Sequence, residues 1–179
     1  ILATFYFLWY LTVLGRPSAI LDCAFTIFGS LYIGFLFSYL ILMYDLPSGR
    51  LLIFLLIGGT WVADTSAYTV GTLIGKRKLA PGVSPHKTWE GAIAAVLFTP
   101  LVLASLYFFP VLSVSERIVL GLIVGVTSQI GDLAESKLKR EMEVKDAGWI
   151  IPGHGGVLDR FDSLLFGGIV VYYYLKFVI

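Results

Sequence analysis

Residues 136–162 read SKLKREMEVKDAGWIIPGHGGVLDRFD, gathering five cations, five carboxylates, one His and four Gly into a short stretch of an otherwise oily chain. Spanning a membrane requires none of this, whereas binding a polyphosphate through a divalent cation uses all of these residue types. Lys137, Lys139, Arg140 and Lys145 offer positive charge to phosphate oxygens, as point charges or as a bidentate fork. Pro152-Gly153-His154-Gly155-Gly156 is a glycine-rich turn whose backbone can approach an anion closely. His154 there could equally be a satisfied loop residue. Asp159 and Asp162 stand three apart where a helix is expected to begin, so their carboxylates share a face. Mg²⁺ prefers oxygen ligands and keeps several waters, so one or two Asp from separate elements suit it. Asp132 and Asp159 are the expected metal pair.

Three further groups belong to the same chemistry. Asp64 lies inside an apolar run, where a carboxylate costs about 3 kcal/mol and must face a polar interior or a partner. It is expected to wall a substrate site or to orient cations, with a hydrogen-bonded packing role as the alternative. At helical spacing Gly121, Gly125, Ser128 and Asp132 fall on one face, which places Asp132 beside the basic stretch, either as a ligand or paired with Lys137 or Arg140. Residues 76–90, KRKLAPGVSPHKTWE, contain Ser84-Pro85, read as a helix N-cap followed by Pro at the first helical position. On that reading the helix start and Lys87 attract phosphate, and Ser84 contacts substrate. An ordinary basic loop on the cytoplasmic side is the competing account.

The elements that must position these residues are membrane helices. The 179-residue chain is 58% hydrophobic with a mean hydropathy of +0.87, beyond the roughly half apolar content of soluble domains. Its apolar blocks are continuous, not alternating, which excludes a β-barrel. Six segments are expected, at 1–14, 20–44, 51–75, 91–109, 117–135 and 158–179. The fold class is therefore all-α and polytopic, with about six transmembrane helices. The chain starts at Ile1 within an apolar run, and further N-terminal spans are expected to precede it. Nine of the thirteen Lys and Arg fall in the two stretches carrying chemistry. Two spans separate those stretches, so loops 76–90 and 136–162 face one side, the cytoplasmic one by the positive-inside rule. Residues 1–50 read as scaffold spans and 51–179 as the catalytic membrane part. The single Cys23 excludes an internal disulfide. The faces Gly71/Gly75 and Gly121/Gly125 allow close helix contact, in a homodimer or within one chain.

The second basic stretch resembles the signature of the phosphatidate cytidylyltransferases (CDP-diacylglycerol synthases). The matching positions are Ser136, Leu138, Lys139-Arg140, Lys145-Asp146, Gly148, Ile151-Pro152, His154-Gly155-Gly156, Val157, Asp159-Arg160, Phe161 and Asp162, with no departure. Asp64-Thr65, Ala67-Tyr68, Gly71, Gly75-Lys76, Pro81, Ser84-Pro85, Lys87-Thr88 and Glu90-Gly91 also look like this family. The resemblance implies a Mg²⁺-dependent nucleotidyltransferase of phospholipid biosynthesis that turns CTP and phosphatidate into CDP-diacylglycerol and pyrophosphate. It implies metal binding by Asp132 and Asp159, with a second cation allowed. Phosphate neutralisation falls to Lys87, Lys139, Arg140, Lys145 and Arg160, and Asp146 and Asp162 orient those cations or join a second metal. Ser84, Asp64, His154, Gly155 and Gly156 fall to substrate binding. The partners would be CTP, phosphatidate and the bilayer, with no nucleic acid, and the setting a bacterial inner membrane with the catalytic loops in the cytoplasm. Two other readings stay open, a CTP-dependent lipid-alcohol kinase and a non-enzymatic ion transporter lined by Asp64 and Asp132.

Overall fold

In a computed structural model, the structure describes residues 19–107, 111–142 and 158–179, with Phe5 and Trp9 besides; the side chains of 19–22, 25 and 158–160 lie outside this description. The described residues are mostly helical, with one small hairpin and short turns between the elements, as an all-α membrane protein requires. The helices are α1 (Ala19–Tyr44), α2 (Gly49–Leu73), α3 (Trp89–Ser105), α4 (Val114–Glu141) and α5 (Leu158–Val178). Strands β1 (Lys78–Ala80) and β2 (Ser84–Thr88) connect α2 to α3. Four of the helices are long and apolar enough to cross a membrane, and α3 is a shorter apolar helix. Five of the six expected segments thus correspond to helices. The first, 1–14, lies outside the described residues except at Phe5 and Trp9.

The chain divides into two compact units, Ile1–Ser38 and Tyr39–Ile179. In the first, helix hydroxyls turn back onto the backbone, as where Ser30 donates to the Thr26 carbonyl at 2.8 Å. That is how a polar side chain is tolerated in an apolar setting. The second unit holds every described residue of the site. Its apolar core is built from Met43, Leu52, Leu55, Leu56, Leu103, Leu120, Val124, Leu164, Val171 and Leu175. Large side chains such as Phe54, Trp61, Leu73 and Leu101 remain exposed, as lipid-facing surface should.

Lipid removes the hydrophobic drive between helices, so close van der Waals contact must hold them. Glycine provides it. A Cβ on Gly121 would sit 2.3 Å from Pro100 Cα, and one on Gly125 would sit 2.9 Å from the Ala95 carbonyl oxygen. One on Gly131 would meet the Asp162 carbonyl oxygen at 2.9 Å. Helix α4 therefore lies backbone-close to α3 on one side and to α5 on another. The Gly121/Gly125 face is used within the chain, and so is Gly71/Gly75, where added Cβ atoms would meet Thr88 Oγ1 at 2.9 and 2.6 Å. Neither face is free to build the homodimer that the spacing allowed.

At the end of the bundle away from the hairpin, Ser113 and Glu116 form a capping box at the start of α4. Buried Arg117 donates from Nη1 to the Leu106 carbonyl at the C-terminus of α3, and Tyr174 Oη donates to the Glu116 carbonyl at 3.0 Å. These bonds satisfy backbone groups that lipid could not.

Two sequence expectations are corrected here. Ser84-Pro85 does not begin a helix; it opens β2, with Ser84 opposite Ala80 and Lys78 opposite Thr88. Proline disfavours the helical region for the residue before it, which keeps Ser84 extended, and its missing N–H suits an edge strand. The cap is Thr88, whose hydroxyl accepts from the Gly91 N–H at 3.2 Å, and Trp89 is the first helical residue. Nor is 136–162 a loop from its first residue, because α4 runs on to Glu141. Residues 136–141 are mostly strong helix formers, and the i,i+4 ion pairs Glu135–Lys139 and Lys137–Glu141 support the extension.

Candidate active site

The hairpin folds so that β2 delivers Lys87 and Thr88 to one end of the bundle. Its closure is backbone-driven. The Trp89 N–H donates to the Arg77 carbonyl at 2.9 Å, and the Arg77 N–H reaches both carboxylate oxygens of Glu90 at 3.3 Å. Glu90 stands in the first turn of α3, and its own backbone N–H, with those of Lys76 and Arg77 and the Arg77 charge, holds its carboxyl below the usual range despite some desolvation. Arg140 Nε donates to the Val83 carbonyl at 3.4 Å, tying the end of α4 to the hairpin tip. The hairpin and the described part of the second basic stretch, the end of α4, therefore meet at one end of the bundle in the second unit.

Between them lies a cavity of about 550 Å³. Asp64 enters it from α2, His86, Lys87 and Thr88 from β2 and its end, Asp132, Glu135 and Lys139 from α4, and Asp162 from α5. The helices place these groups by periodicity. Asp132, Glu135 and Lys139 follow at spacings of three and four, so they form one stripe along α4. Tyr68, Gly71 and Thr72 continue the Asp64 wall along α2, and Gly91 and Ala92 bring the start of α3 to the rim.

Four carboxylates against two ammonium groups leave the cavity negative. Lys87 Nζ stands 2.6 Å from Asp132 Oδ2, while Ser136 Oγ donates to the other Asp132 oxygen at 3.3 Å. Lys139 Nζ lies 2.7 Å from Glu135 Oε2, a carboxylate only 2% exposed. Asp132 is thus paired across elements with Lys87 and not with Lys137 or Arg140, as the packing alternative expected. No ion pair to Asp64 is found among the described residues, and Asp162 takes the Ser163 N–H at 2.6 Å. This donor set, dominated by carboxylate oxygens in excess of the local cations, suits a hard divalent ion. Among the described residues no three His, Cys, Asp or Glu side chains are grouped to enclose one. An ion here would take one or two carboxylates and complete its shell with water and substrate phosphate, the usual habit of Mg²⁺.

Of the expected site residues, the structure brings Asp64, Lys87, Asp132, Lys139 and Asp162 to one cavity. It leaves Ser84 on the hairpin opposite Ala80, away from the lining, and engages Arg140 with the hairpin backbone. Lys145, Asp146, His154, Gly155 and Gly156 lie outside the described residues. Asp159 and Arg160 stand in the first turn of α5, with their side chains outside them. Sequence reasoning missed Glu135, Gln129, Tyr68 and Thr72 in the lining. Glu135 carried a signal, since it follows Ser128 and Asp132 by seven and three on the same face. Thr72 likewise follows Asp64 by eight.

A family model described as the cytidylyltransferase family matches residues 1–178. The chain is 43% identical over 162 residues to the phosphatidate cytidylyltransferase of Bacillus subtilis (strain 168), covering 87% of this chain and 59% of that protein. Against the phosphatidate cytidylyltransferase of Staphylococcus aureus (strain COL) the identity is 40% over 162 residues, with coverages of 87% and 60%. The same-named protein of Staphylococcus saprophyticus is 38% identical over 170 residues, with coverages of 91% and 63%. The chain therefore spans about 60% of the length of these curated relatives.

Proposed function

The chain belongs to the cytidylyltransferase family, and from that premise we propose that it is a nucleotidyltransferase converting CTP and phosphatidate to CDP-diacylglycerol and pyrophosphate. The observation that carries the reading is the cavity at one end of the helical bundle, where carboxylates and lysines from four elements meet. Both substrates are anionic, so they can be brought together only where cations offset their charge. A phosphatidate phosphate oxygen attacks the α-phosphorus of CTP, the bond to the β-phosphate breaks, and pyrophosphate leaves with the electron pair. No protein nucleophile is required. Positioning and electrostatic stabilisation do most of the work in such transfers.

Lys87 and Lys139 then exchange their carboxylate partners for phosphate oxygens, with Arg140, Lys145 and Arg160 as further cations. Asp132 and Asp159 would hold Mg²⁺, and Asp64, Asp146 and Asp162 would orient cations or serve a second ion. When bound, the divalent ion neutralises charge on the phosphates. Ser84, His154, Gly155 and Gly156 are assigned to substrate binding. Residues 51–179 form the catalytic part and 1–50 a scaffold. The site end would face the cytoplasm of a bacterial inner membrane, where CTP arrives from solution and the lipid headgroup from the leaflet. Charges gathered at one end of the bundle do not suit an ion path through the midplane.

Product analysis tests the reading. Cytidine-labelled CTP is given to the full-length protein in detergent with Mg²⁺ and either phosphatidate or a lipid alcohol. The expected result is label in the lipid, with pyrophosphate release, only with phosphatidate; chelation should abolish it and added Mg²⁺ restore it. Soluble labelled CDP with a phosphorylated alcohol would mean a kinase instead.

A further inference from the structure

A second concavity, of about 340 Å³, lies beside the charged cavity between α3 and α4. Trp89, Ile93 and Leu97 form one wall at i,i+4 spacing, and Val126, Ile130 and Leu133 form the other. Four residues separate each step, so the α3 stripe alone runs about 12 Å along the helix. Trp89, Ile93 and Leu97 are each more than half exposed, so the groove is open along its length. Apart from the indole N–H of Trp89, Gln129 brings the one polar side chain among the described residues of its lining.

Two residues, Ala92 and Gln129, line both the groove and the charged cavity. The apolar trough therefore begins where the carboxylates and lysines end. A ligand occupying both would carry a phosphate at one end and hydrocarbon at the other, with amide-compatible polar groups between. The small side chain of Ala92 keeps the junction open, and the Gln129 amide offers a donor and an acceptor at the boundary.

We propose that this α3–α4 groove is the acyl-chain subsite for a diacyl lipid whose phosphate headgroup sits in the charged cavity. The inference deepens the proposed function and rests on its lipid substrate. Bulk lipid would wet such a surface whatever its headgroup, whereas a substrate subsite must be selective for a lipid that also fills the cavity. Continuity between the two spaces is what favours the substrate over the bilayer at large.

The test is photolabelling of the full-length protein in nanodiscs. Phosphatidate carrying a diazirine in one acyl chain is compared with phosphatidylcholine carrying the same group, and adducts are mapped by mass spectrometry. The expected result is phosphatidate adducts on residues 89–97 and 126–133. At least a five-fold loss should follow from excess unlabelled phosphatidate, from Ile93→Trp and from Ile130→Trp. Equal labelling by phosphatidylcholine would make the groove bulk-lipid surface and overturn the proposal, as would phosphatidate adducts confined to other helices. Loss of adducts on Ile93→Trp together with a change in oligomeric state would instead assign the face to a second copy. Turnover is followed in the same samples. Selective groove adducts without cytidylyl transfer would sink the activity and leave the subsite standing, and transfer without them would do the reverse.

Discussion

Replacing Lys87 with Met should cost both stability and turnover, and the two losses should separate in a double-mutant cycle with Asp132→Asn. The ammonium and carboxylate stand 2.6 Å apart with 16% and 35% of their side chains exposed. At an effective dielectric of about 20, unit charges at that distance attract by about 6 kcal/mol. Desolvation and the remaining solvent offset most of it. Fully buried pairs lose about 3–5 kcal/mol when one partner is removed and exposed pairs about 0–1, so this half-buried pair should lose about 1–2. For a chain of this size that is a fall of about 2–8 °C in thermal midpoint. Thermal unfolding of Lys87→Met, Asp132→Asn and the double variant in one detergent measures it. The double variant leaves neither charge stranded, so its midpoint should recover most of the loss, giving a coupling of about 1–2 kcal/mol. Turnover should not recover. If Lys87 meets phosphate and Asp132 a metal, all three variants should fall by at least about 100-fold, the order expected for losing one electrostatic contact to the reacting group. A coupling below about 0.3 kcal/mol would refute the pair. A double variant that regained activity along with stability would refute the catalytic roles and leave a structural salt bridge.

The remaining predictions concern the frame around that pair. Gly121→Ala places a Cβ 2.3 Å from the Pro100 backbone, so α3 and α4 must part; it should destabilise by about 1–3 kcal/mol in thermal unfolding, whereas Gly34→Ala, with nothing within 4 Å, should be near neutral. Glu90 titrates below its ordinary value in the folded protein, so its contribution is full above the unfolded pKa of about 4.3 and is lost as pH falls through the folded value. The midpoint of Glu90→Gln should therefore lie below wild type at pH 7 and converge with it as pH falls through the folded value; a gap independent of pH would mean that the carboxylate charge does not contribute to closing the hairpin.

The sequence by itself determined the fold class and marked the residues on which the proposed chemistry rests. Continuous apolar runs admit only helices in lipid, because each backbone group must be satisfied within its own segment. Charged residues that cost free energy in such a chain mark the working end, and helical spacing alone put Ser128 and Asp132 on one stripe, where Glu135 could also have been read. What the sequence left open were relations between segments. Ser84-Pro85 is compatible locally with a helix start or a strand, and pairing with β1 decided for the strand, moving the cap to Thr88. Small-residue faces on α2 and α4 suit a dimer or a neighbour in the same chain, and the nearness of Thr88 and Pro100 decided that. Asp132 had Lys137 and Arg140 as candidate partners along the chain, and only the fold brought it to Lys87, 45 positions away. Periodicity fixes which residues share a face; which face meets which depends on backbone closeness and ion pairing between distant segments, and that is settled only when the helices are assembled.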